Sequence, residues 1–159
     1  MATKQDLIGG YEFLIQEARR IAASLSADDW TKAVDHDGWK NTQVLAHVAG
    51  IGSIVVPMVT GMSSAPAGTD VGAAMNIDEM NAGIVAARAG KTPAELAEEV
   101  ATAYGAVIEW VRGAADDVLE KRATFQGYKD VPISDLLQRM TVLHGLGHIY
   151  AAYSAVMNG

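Results

Sequence analysis

The sequence contains no cysteine. Disulfides, zinc–thiolate centres and cysteine nucleophiles are therefore excluded. It is also short of positive charge: 12 lysines and arginines stand against 19 aspartates and glutamates, a formal charge of −7. Nucleic-acid binders draw much of their affinity from a basic surface that neutralises phosphates. Here the basic residues are scattered, so no nucleic-acid partner is expected. No apolar run reaches the ~18 residues expected of a membrane span. The opening Met1-Ala2-Thr3-Lys4-Gln5-Asp6 leads into an amphipathic pattern rather than the apolar core of a signal peptide. These absences point to a soluble cytoplasmic protein with no membrane partner.

What is present is a chain of 159 residues, half of them hydrophobic, expected to form a single domain over residues 1–159. A domain of this size buries roughly 70% of the surface its unfolded chain exposes, so it needs no metal merely to fold. Leu7, Tyr11, Leu14, Ala18, Ile21 and Leu25 recur at spacings of three and four, one face of a long amphipathic helix. Asn41 or Thr42 is expected to cap a second helix carrying Val44, Leu45, His47, Val48, Ile51 and Val55, which Pro57 should end or kink. Residues 61–76, rich in Gly, Ser, Ala and Pro, read as a long loop. A short helix is expected from Ile77 to Arg88. Thr92-Pro93-Ala94-Glu95 is a helix start, with a Thr cap, Pro in the first turn and Glu at the capping-box position. Ser134 opens the last long helix. Thr124 to Val131 could be extended, but Gly127 interrupts it. The expected fold class is all-α, a four-helix bundle with short connecting helices.

Three histidines carry the chemistry. His144 and His148 are one helical turn apart and share a face. His47 lies far upstream in another apolar, helix-like segment. Neutral imidazole is a common ligand for zinc, nickel and iron, and bundle cores build metal sites from facing helices. Three protein nitrogens with open positions describe a catalytic centre more than a closed structural one. The alternative is a set of hydrogen-bonded core histidines. His36, between Asp35 and Asp37, reads as a solvated loop residue. Gly145 and Gly147 between the paired ligands fit close helix packing, or space for a ligand. Met58, Met62, Met75 and Met80 surround the long loop and read chiefly as flexible packing. Asp78 and Asn81 share a helical face three residues apart; contact with substrate or with a water beside the site is one reading, and a capping or surface role is the favoured one. No serine lies in a GxSxG elbow, and Gly50-Ile51-Gly52 lacks the third glycine of a dinucleotide fold.

The stretch Gly38-Trp39-x-x-Thr42-x-Val44-Leu45-x-His47-Val48-Ala49, the pair His144-x-x-x-His148 and the order of long helices resemble the DinB-like superfamily, including the N-terminal domain type of mycothiol-dependent maleylpyruvate isomerases. The resemblance covers essentially the whole chain. It implies up-down-down-up topology and a divalent metal, zinc or nickel foremost, near one end of the core. His47, His144 and His148 match the family's metal triad. Where the isomerase branch can replace one histidine by a carboxylate, this chain is similar to the three-histidine branch. The longer isomerases carry an extra C-terminal domain that 159 residues leave no room for. The resemblance further implies a low-molecular-weight thiol such as mycothiol or bacillithiol, a small-molecule substrate and a homodimer. The leading expectation is a metal-dependent thiol S-transferase or related detoxification enzyme. A metal-dependent hydrolase, a non-enzymatic metal- or ligand-binding stress protein and a purely structural bundle are the alternatives.

Overall fold

The computed structural model of the chain describes residues 1–33 and 38–157. His36 lies outside the described residues. Helix α1 spans Lys4–Ser24. Its start is fixed by reciprocal bonds: Asp6 N–H donates to Thr3 Oγ1, and Thr3 N–H donates to the Asp6 carboxylate. Leu7, Tyr11, Leu14, Ala18 and Ile21 form its buried stripe. Leu25 ends the helix as its C-terminal cap.

Helix α2 spans Asn41–Ser64 and differs from expectation in three ways. The N-terminal cap is Lys40, whose backbone N–H donates to Gln43 Oε1 at 2.9 Å, while buried Asn41 turns its amide inward to donate to the Asp29 carbonyl at 2.8 Å. Pro57 lies inside the helix and does not end it. Proline removes one helical hydrogen bond, but Val55, Val59 and Met62 on both sides of it are buried in the core, and packing outweighs that loss. The helix therefore takes residues 61–64 from the expected loop, which begins only at Ala65. The expectation that no segment is long and apolar enough for a membrane span is also corrected. Asn41–Ser64 meets both measures, with a mean hydropathy of 1.8 over its best window. Small residues such as Gly50, Gly52 and Ser53 break the strictly apolar run without making the helix polar. In this fold it is a core helix, packed against α4 and the final helical run.

Helix α3 (Ile77–Ala86) is capped by Asn76, and α4 (Pro93–Gly113) begins with the Thr92–Glu95 capping box as expected. The short α5 (Asp116–Glu120) leads into a hairpin of β1 (Arg122–Phe125) and β2 (Tyr128–Pro132), paired antiparallel. Its turn is Gln126-Gly127, both at positive φ (47° and 85°), the backbone of a tight two-residue hairpin turn. Gly127 is thus the hinge of two strands rather than a break in one. The hairpin holds the 65–76 loop: Asp70 Oδ1 accepts from the N–H groups of Gly72 and Gln126 at 3.0 and 3.2 Å.

The last helical run comprises α6 (Ile133–Leu137), a π-helical turn over Gln138–Leu143, and α7 (His144–Met157). Helix α1 packs on α4 and on this run, and α2 packs on the same two. Consecutive α1 and α2 thus sit on opposite corners of an all-α four-helix bundle. Close approaches fix the seams. A Cβ on Gly10 would meet Val142 at 2.7 Å, and one on Gly145 would meet Leu14 at 3.0 Å. Close packing accounts for Gly145, whereas Gly147 faces open space.

Candidate metal centre

The diagonal order brings α2 beside α7, and with it His47 beside His144 and His148. Ring centroids lie 5.2 Å (His47–His144), 4.9 Å (His47–His148) and 4.5 Å (His144–His148) apart. One ring nitrogen of each falls within 4.8 Å of the other two. His144 Nε2 and His148 Nε2 are 3.0 Å apart. Two imidazoles bound about 2.0–2.1 Å from one divalent ion would be separated by about 2.8–3.4 Å at right-angle to tetrahedral geometry. A histidine–histidine hydrogen bond would explain the 3.0 Å alone. It does not explain His47, which is 2% exposed and whose Nδ1 is buried with no hydrogen-bond partner. A buried polar atom left unpaired costs about 1–3 kcal/mol, and a bound ion or ordered water relieves it.

Protonation suits ligation. Burial, reinforced by the neighbouring His148 and His144, pulls the His47 pKa down to about 3. His144 lies at the surface by exposed area, yet the protein around its ring withdraws solvent. That desolvation and the adjacent His148 lower its pKa to about 4. Both rings are neutral at pH 7, the form a metal requires. The donor set of three ring nitrogens fits zinc, nickel or a related divalent ion and leaves coordination positions open.

Two cavities meet at the histidines. One, of about 480 Å³, is walled by Trp39, Asp78, Asn81 and the triad. Trp39 stacks near the rings, 5.1 Å from His47 and 6.4 Å from His148. The other, of about 250 Å³, includes His47, His144, Met58, Met75, Met80 and Met140. Three of the loop methionines therefore line a cavity, while Met62 is core. Asp78 is exposed, as a surface role requires, and together with half-buried Asn81 it also lies on the wall of the 480 Å³ cavity beside the triad. Their spacing of three residues was the available signal. Tyr128 and Arg139 are wall residues that sequence reasoning passed over, whereas Trp39 and Met140 were legible only as a motif and a helix-face residue.

The profile of the mycothiol maleylpyruvate isomerase N-terminal domain matches residues 12–145. The chain belongs to this family. The match includes His47 and His144, and His148 lies just beyond its end. Membership agrees with the DinB-like bundle and with a site able to hold a metal ion. No curated protein matches the chain.

Proposed function

We propose that this protein is a divalent-metal-dependent enzyme that activates a low-molecular-weight thiol for attack on a small electrophile, an S-transfer or detoxification reaction in the cytoplasm. The observation that carries this reading is the convergence of three imidazoles from α2 and α7 on a site bordered by two cavities. The chain has no cysteine, so the sulfur must arrive as a co-substrate.

His47, His144 and His148 would hold the ion, zinc or nickel foremost. A divalent ion supplies Lewis acidity, which favours the ionised form of a thiol brought to it. The protein's own residues do the rest. Trp39 shields one side of the site. Asp78, the carboxylate on the wall of the 480 Å³ cavity, takes the proton released from sulfur and passes it to solvent. The methionine-lined cavity receives the electrophile's apolar body, and the sulfur lone pair forms the S–C bond as the leaving group departs with its electrons. His144 is exposed, which gives water a route to the same place. That exposure makes metal-dependent hydrolysis the second reading.

The test is turnover of a chromogenic electrophile with and without mycothiol, bacillithiol or a simple thiol, before and after chelation. Turnover that requires both thiol and metal supports S-transfer. Metal-dependent cleavage of an ester or amide without thiol would replace it by the hydrolase. No turnover in either assay would leave a binding protein.

A further inference from the structure

The chain's arginines are not alike. Arg19, Arg20, Arg88, Arg112 and Arg122 each hold a carboxylate: Glu98, Glu17, Glu99, Glu109 and Asp130. Arg139 has no such partner among the described residues, in a chain with a surplus of acids. It is exposed and lines the mouth of the methionine-walled cavity, on whose wall His47 and His144 also lie.

Its placement follows from a local irregularity. Arg139 sits in the π-helical turn Gln138–Leu143, and the successive residues Arg139, Met140 and Thr141 line the same cavity as His144. A regular α-helix turns successive side chains by about 100° and would spread three of them over about 200°. The wider π turn keeps them together, and such turns occur often at functional sites. Asn81 lines the same cavity, and its amide oxygen is buried with no hydrogen-bond partner. The cavity therefore offers an apolar wall, an uncommitted guanidinium at its mouth, an unpaired amide and the histidine triad.

We infer that Arg139 is a specificity residue that receives the anionic end group of an apolar substrate, a carboxylate or similar oxyanion, while the substrate's body lies against Met58, Met75 and Met80. Guanidinium matches an oxyanion with two parallel N–H donors, and the apolar wall beside it receives the carbon chain that carries the charge. The inference rests on the proposed reading for the reaction at the far end of the cavity. The recognition step can be measured without any reaction.

The experiment is calorimetric titration of the metal-loaded protein with hexane-1-sulfonate and with 1-hexanol. Sulfonate is a poor ligand for divalent ions, so its binding reports the guanidinium rather than the metal. The wild type should bind the sulfonate about tenfold more tightly than the alcohol, roughly one strong charged contact. Arg139→Gln should abolish that preference and leave hexanol binding unchanged, and Arg139→Lys should restore part of it. Equal affinity for the two probes in the wild type, or an undiminished sulfonate preference in Arg139→Gln, would overturn the inference. Because neither probe reacts, absence of thiol-dependent turnover would reject the S-transfer reading while leaving this result standing.

Discussion

Acidification should destabilise the metal-free protein between pH 7 and pH 5, and His47 should account for much of the effect. In the unfolded chain a histidine titrates near 6.5. In the fold, burial and two neighbouring imidazoles hold His47 to about 3. Between those values the unfolded state binds a proton that the folded state refuses, so stability rises with pH across the window and falls as pH drops. By pH 5 the unfolded histidine is almost fully protonated, and the loss relative to pH 7 is about 2 kcal/mol. For a domain of this size that is a fall in Tm of roughly 4–8 °C. His144 adds a smaller amount in the same direction, since its exposure lets solvent offset part of the penalty. The carboxylates with lowered pKa, such as Asp29 and Glu98, have ordinary values near 4 and contribute chiefly below pH 5. Thermal unfolding of chelated protein at pH 7 and pH 5 makes the measurement, with His47→Leu as control. The variant should lose most of the pH dependence. A Tm that does not move, or an equal fall in His47→Leu, would refute the placement of a neutral, desolvated imidazole at this position.

Two further substitutions test the packing that aims the site. Thr141→Val removes the partner of the buried Tyr11 hydroxyl, 2.7 Å away, and should lower unfolding stability by about 1–3 kcal/mol in urea. Tyr11→Phe in the same background should recover part of that loss, because the unpaired hydroxyl is then gone. Gly50→Ala places a methyl against Ile84 on α3 and within 3.0 Å of Arg88. It should cost about 1–3 kcal/mol and weaken metal affinity by shifting the helix that carries Asp78 and Asn81; unchanged affinity would separate α3 from the centre.

Much of this was legible in the sequence where a feature is local and chemical. The Thr92–Glu95 capping box and the stripe from Leu7 to Ile21 state their own geometry, and the histidine pair needs only one helical turn to converge. Other features depend on neighbours. Pro57 reads as a stop because its lost hydrogen bond is visible, while the packing that overrides it is not. The Gln126-Gly127 turn was hidden because only its glycine advertises positive φ; Gln126 is forced there by strand pairing. The π turn has no residue signature. Arg139 looks like any helical arginine, and only the fold shows that every other arginine has a carboxylate while it has none among the described residues. Asp78 and Asn81 had the right spacing but nothing in sequence to say what they face.

One ion shared by imidazoles from α2 and α7 is what the proposed chemistry requires. Elemental analysis of gently purified protein, run beside His144→Ala and His148→Ala, tests this most directly. The expected result is a stoichiometric divalent metal in the wild type and its loss from both folded variants. Wild-type protein that takes up no divalent ion, or variants that retain the full complement, would contradict it.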